Sequence, residues 1–203
     1  MSQAALPALQ SILNADWWRL APVVMRHHQL RTHSCDRLDL NGTMREIWHA
    51  RWLDPFLPLV RFLDAVVPYC GVEVPAQVRC VADPLRPRVY WEREFRFHDG
   101  RIGRFSSFKE FSGDHEVCEV IRGGIAARLR VSECSGGLRF DTVGYQWRLG
   151  NWRVPLPLQA LIGRICCEEI PLNNEQIRIL ITFTHPWLGC LIRYDGTFQI
   201  PLA

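Results

Sequence analysis

The sequence predicts an α+β protein built on a strongly curved antiparallel β-meander or barrel of about nine strands, with N-terminal helices and one covering helix. Three observations carry this. From residue 72 onward, runs with apolar residues at every second position follow one another along the chain. The links between them are short and glycine-rich, at Asp99-Gly100, Ser112-Gly113-Asp114, Arg122-Gly123-Gly124 and Ser135-Gly136-Gly137. Such links make antiparallel hairpins, since a parallel crossover needs a dozen residues or more. So many strands in meander order cannot stay flat, because native twist makes the sheet curl or close.

Taken in order, residues 4–31 read as helical, with Leu6, Leu9, Ile12 and Leu13 on one stripe and Pro22 in the first turn of a second helix through Leu30. Trp17-Trp18 suits core packing. His27-His28 and His33 read as surface residues, because adjacent helical side chains diverge by about 100° and no carboxylate accompanies them in the sequence. Residues 38–52 form two short strands separated by a turn at Asn41-Gly42. Asp54 caps a helix opened by Pro55, with Phe56, Leu59, Val60, Leu63 and Val67 at helical spacing toward the sheet and Pro68 and Gly71 closing it.

The meander then runs through strands at 72–82, 88–97, 103–111, 115–121, 125–134 and 138–148. Pro155-Leu156-Pro157 interrupts it, and 158–163 holds only a short helix or turn. Strands at 164–170, 175–184 and 188–194 follow, the last ending in a turn at Tyr194-Asp195-Gly196-Thr197. The whole reads as a single domain over 1–203, with a helical arm at 1–31 and the helix-covered sheet at 38–203.

Composition narrows the function. The 203 residues are 48% hydrophobic, enough for a sizeable core, and the 24 basic and 21 acidic residues nearly balance and are scattered, which gives no nucleic-acid footprint. Every basic residue but one is arginine; Lys109 is the exception. No apolar run approaches the ~20 residues of a membrane span and no leader opens the chain, so a soluble, cytoplasmic protein is expected. The eight cysteines contain no C-x-x-C pair. Neither a disulfide nor a metal site is expected, and no cofactor. G-x-S-x-G, phosphate-cradling glycine loops and H-E-x-x-H are all missing, so no catalytic residue is assigned. Glu168-Glu169 and Glu92/Glu94 read as solvated outer-face charges.

The clearest strand, Val89 to Phe97, carries the oddity of the chain. Val89, Trp91, Phe95 and Phe97 share one face, and Arg93 shares it with them. A guanidinium on an apolar face must find an acceptor. Propagating faces through the hairpins sets Phe97 opposite Gly103, Arg93 opposite Ser107 and Glu119 opposite Ser107, with Ala127 and Gln146 continuing the row. Two readings stand side by side. Arg93 and Glu119 form an internal ion pair that fixes register, or Arg93, with Ser107, Glu119, Gln146 and Trp91, lines a ligand site in which Arg93 holds a carboxylate.

Several short segments occur in an order and spacing that carry a resemblance. They are Leu20-Ala21-Pro22 with Arg26-His27, Asn41-Gly42-Thr43-Met44, Val74-Pro75, Trp91-x-Arg93-x-Phe95, Ser106-Ser107, Glu119 ahead of Gly123, Leu156-Pro157, Pro186-x-x-Gly189 and Tyr194-x-Gly196. Through them nearly the whole chain resembles the bacterial family known as domain of unknown function 4166. The family has no settled activity, and similar domains are fused behind saccharopine-dehydrogenase-like NAD(P)-binding domains. The resemblance thus implies a separate reductase as one partner, while this chain has no G-x-G-x-x-G and dinucleotide binding is not implied.

The functional expectation is a binding module for a small, largely apolar or acidic molecule in the cavity of the curved sheet. Two alternatives are an acid/base enzyme using Glu119 and Arg93 in the same cavity, and an interaction domain that docks a reductase or a second copy of itself.

Overall fold

The computed structural model describes residues 6–111, 115–150 and 152–202. Among them eleven strands form one antiparallel sheet: β1 (Arg37–His49), β2 (Gly71–Ala82), β3 (Arg88–Arg96), β4 (Ile102–Phe111), β5 (Glu116–Val120), β6 (Ile125–Cys134), β7 (Gly137–Leu149), β8 (Trp152–Leu156), β9 (Arg164–Pro171), β10 (Gln176–His185) and β11 (Gly189–Gln199). Neighbours follow chain order from β1 to β7, then β9, β10 and β11, which returns to β1 and closes a barrel. β8 stays outside it, paired only to the second half of β7. The meander therefore closes, and closure removes the exposed edges that an open sheet of this length would carry.

Glycines make two of the close contacts in the wall. A Cβ on Gly42 of β1 would lie 2.3 Å from the Thr197 carbonyl oxygen and 2.6 Å from the Phe198 ring, and one on Gly196 of β11 would lie 2.5 Å from Met44 Sδ. Both glycines were expected in turns. Instead β1 runs unbroken through Asn41-Gly42 and β11 through Asp195-Gly196. Here the missing side chain serves close packing across the β1–β11 pair.

The hairpin between β3 and β4 corrects the expected register by two residues. Phe97 N–H donates to the Arg101 carbonyl at 2.9 Å, with Gly100 at φ +83. This three-residue loop sets Phe95 opposite Gly103, Arg93 opposite Phe105 and Trp91 opposite Ser107. Because the slip is even, every side chain keeps its face. The tight turn expected at Ser112-Gly113-Asp114 lies outside the described residues; beyond it Phe111 faces Val117 rather than His115.

Two short helices, α1 (Gln10–Leu13) and α2 (Pro22–His27), joined by a 3-10 segment at Asn14–Arg19, seal one end of the barrel. Leu9, Ile12, Leu13, Trp17, Val23 and Val24 are buried beneath it, whereas Leu6 and Trp18 are exposed. The Ala21 N–H donates to the Gly136 carbonyl at 2.8 Å and ties α2 to the β6–β7 turn. The segment 51–70 lies toward the other end. The helix expected over 55–67 shrinks there to a 3-10 stretch, Arg51–Phe56, and α3 (Leu57–Phe62), and Phe56, Leu59 and Phe62 face solvent. The burial is carried by Val66 and Val67 beyond the helix, where Tyr194 Oη accepts from the Val67 N–H at 2.9 Å and donates to its carbonyl at 3.2 Å. A last helix, α4 (Gln159–Ile162), precedes β9.

Candidate functional site

The inward faces of the strands do not meet at the barrel centre. They leave a cavity of about 180 Å³, walled mostly by apolar side chains such as Phe95, Phe105, Leu129, Phe140, Ile179 and Phe183. The charged residues in that wall are Arg93, Lys109, Glu119 and Glu169.

Arg93, Ser107 and Glu119 come together inside, though the register places them diagonally. Arg93 donates to Ser107 Oγ at 3.0 Å and to Glu119 Oε1 at 3.1 Å, and Ser107 Oγ donates to the same oxygen at 2.6 Å. The guanidinium also lies over the Phe105 ring at 4.5 Å and near Trp91 at 5.4 Å. Burial pushes the Glu119 carboxyl up, but the charges of Lys109 and Arg93 and the bonds from Ser107 and Arg93 outweigh it and hold it below the usual range.

Trp91 and Ala127 also line the cavity. Gln146 does not. Between β6 and β7, Arg128 faces Gly144 while Leu129 faces Thr142, so Val143 is an extra residue. That bulge reverses the alternation, turning Tyr145 inward and Gln146 outward, where its amide donates to Cys118 Sγ at 3.2 Å.

Three polar residues that the sequence reading set aside complete the interior. Helix α2 ends at His27, and His28 leaves helical geometry at φ −107, ψ 23, so the two rings do not diverge but stand 4.4 Å apart. Both reach Glu169 Oε2, His27 through Nδ1 at 3.0 Å and His28 through Nε2 at 2.7 Å. The histidines are therefore buried rather than on the surface, and Glu169, 2% exposed, is buried rather than solvated. Its neighbour Glu168 points outward and pairs with Arg139 at 2.9 Å. Burial pushes His28 down to about 4, and its ring is neutral at pH 7. Glu169, raised by burial, is carried well below the usual range by the two imidazoles.

These three residues are also a possible metal trio, with ligand atoms within 4.8 Å of one another. Their geometry is that of N–H donors closing on a carboxylate, and the positive charge of Lys109 acts on His28 as well.

Lys109 is 7% exposed. It stands opposite Glu119 on the next strand, yet among the described residues no ion pair or hydrogen bond reaches its ammonium. Nζ instead lies 4.1 Å from the Trp91 ring centre and 4.9 Å from that of Phe140. Beside it is a chamber of about 20 Å³, lined also by His27, His28 and Trp91. Two atoms of these lining residues, His27 Nε2 and Trp91 Nε1, are buried without a protein partner. The signal for Lys109 lay in the alternation, which it shares with Phe105 and Ser107.

The sequence model of the family described as "Domain of unknown function (DUF4166)" matches residues 20–198. No curated protein sequence matches the chain. Among solved structures, the crystal structure of Rv2717c from M. tuberculosis is similar at a TM-score of 0.43 and 9% identity, over 90% of this chain and 99% of that one. No helix of the described residues is long and apolar enough to cross a membrane.

Proposed function

The chain belongs to the domain of unknown function 4166 family, and on that footing we propose that it is a binding barrel for a small, largely apolar molecule held inside the sheet. The observation that carries this reading is the open interior of about 180 Å³. Small barrels ordinarily fill that space with side chains, and leaving it open forfeits dispersion contacts. A dry apolar cavity of about 150 Å³ takes up benzene, whereas pockets for drug-sized ligands start at about 300 Å³. The ligand is accordingly of benzene's bulk or somewhat more.

Charge selects its polar end. Arg93 and Lys109 balance Glu119 and Glu169 in the cavity wall, and the guanidinium that a carboxylate would use is already bonded to Glu119 and Ser107. An acid entering as its anion adds an uncompensated negative charge to a low-dielectric space. A neutral oxygen acceptor placed at Lys109 satisfies a donor without disturbing the balance. The same facts weaken an acid/base role for Glu119, which stays ionised and is occupied as an acceptor.

Thermal melts with benzyl alcohol and with benzoate test the reading. Benzyl alcohol should raise Tm, benzoate should raise it less, and Ala127→Leu, which fills part of the cavity, should abolish the benzyl alcohol shift. An unchanged shift in Ala127→Leu would place binding elsewhere, and a larger shift with benzoate would restore the acid as the ligand.

A further inference from the structure

We propose that Lys109 captures a small apolar aldehyde inside the barrel as an imine. This rests on the binding reading above and names the chemistry of its ligand.

Lys109 is the only lysine of the chain, and arginine, which fills every other basic position, cannot form an imine with a carbonyl carbon. Its side chain is buried, lines the open interior and holds its nitrogen against the faces of Trp91 and Phe140. Among the described residues no hydrogen bond or ion pair holds that nitrogen; Glu119, the carboxylate opposite, takes its hydrogen bonds from Arg93 and Ser107, and Lys109 acts on it through its charge alone. An amine at the wall of the cavity, with no hydrogen bond holding it, is placed to meet the carbonyl carbon of a molecule bound there.

The reaction balances within the site. The ammonium gives up a proton to a water molecule, the amine nitrogen adds to the carbonyl carbon, and a proton passing from that nitrogen to the new oxygen gives the carbinolamine. The proton held by water then returns to the hydroxyl, which leaves as water as the C=N bond forms. The product is a protonated imine, so the positive charge that offsets Glu119 and Glu169 is kept. The adjoining chamber of about 20 Å³ can take the expelled water, since a water needs roughly 10–15 Å³ and a few polar partners. His27 Nε2 and Trp91 Nε1, both buried without partners and both on chamber-lining residues, are candidates to meet it.

The test uses the full chain, benzaldehyde and sodium cyanoborohydride, read by intact mass and peptide mapping. The proposal expects a benzyl group on Lys109 in folded protein, formed faster than in urea, with the N-terminal amine as the internal reference. Benzyl alcohol should slow labelling of Lys109 and leave the N-terminal amine unaffected. Lys109→Arg should lose the internal label while keeping the wild-type circular dichroism; if that variant does not fold, the benzyl alcohol competition on the wild-type chain decides. Labelling of the N-terminal amine alone, labelling of Lys109 no faster than in urea, or no protection by benzyl alcohol would overturn the proposal. If benzyl alcohol raises Tm but Lys109 takes no label, the imine fails and the binding barrel stands. If neither occurs, both fail.

Discussion

Lys109 and Glu119 face each other directly across β4 and β5, and they do not pair. Glu119 is instead held by Arg93 from one strand further away and by Ser107. A cross-strand pair of opposite charge is the usual local solution. Its absence leaves the ammonium over Trp91 and makes the Arg93–Glu119 bond the link between β3 and β5.

That bond predicts a non-additive pair of substitutions. Arg93→Met removes the cation bonded to Glu119 and leaves Ser107 as its one hydrogen-bond donor, which should cost about 3 kcal/mol. Arg93→Met with Glu119→Leu should recover to within about 1 kcal/mol of the wild type, because the stranded charge is gone. Urea denaturation of the single and double variants measures this, and a double variant no more stable than Arg93→Met would show that the pair is not the relevant unit.

The glycines of the barrel wall separate close packing from mere flexibility. Gly42→Ala drives its methyl into the Thr197 backbone and the Phe198 ring, and should cost about 3 kcal/mol through displacement of β11. Gly144→Ala meets nothing within 4 Å, and should be neutral or stabilising by about 0.5 kcal/mol through the unfolded chain. Melting curves showing the two changes to be equal would remove the packing argument.

How far the interior could be read in advance follows from what alternation carries. Faces survive an even slip, which is why Arg93, Ser107 and Glu119 meet although the β3–β4 register is off by two residues. They do not survive an odd insertion, and the extra residue Val143 turned Gln146 outward. The sequence mark of that bulge is Gly144, a lone glycine inside the strand, which the alternation alone does not weigh. Glu168 and Glu169 were both expected on the outer face, although neighbours on a strand point to opposite faces, and Glu169 is the one that turns inward. The convergence of His27 and His28 depends on where α2 ends, and a nominal 100° step per residue hides it.

The segment over residues 51–70 shows the opposite failure, a helical period that buries little. Leu59 is 59% exposed and Phe62 is 69% exposed, so Leu59→Ala should change stability by under about 0.5 kcal/mol. Tyr194→Phe removes a hydroxyl bonded to both the Val67 N–H and its carbonyl, and should cost about 2 kcal/mol by leaving buried backbone groups unmatched. Chemical denaturation of the two variants side by side gives the comparison; a larger loss at Leu59 would return the burial to the helix.

The last prediction concerns acid. His28 is pushed down to about 4 from its usual 6.5, chiefly by burial. Above about pH 6.5 the ring is neutral in both folded and unfolded chains and contributes no pH dependence. Between pH 6.5 and 4 the unfolded chain binds a proton that the folded one refuses, so stability falls as pH drops, by up to about 3 kcal/mol. Glu169 acts in a lower window: its carboxyl lies well below 4.5 in the folded chain, so its contribution is present above that value and is lost as pH falls further. His28→Gln removes the first effect while its amide can still donate to Glu169. Urea midpoints taken from pH 7.5 down to 4.5 should therefore decline in the wild type and stay nearly level in His28→Gln, with both falling together only below that range. An equally steep decline in the variant would mean that the acid sensitivity lies outside this buried cluster.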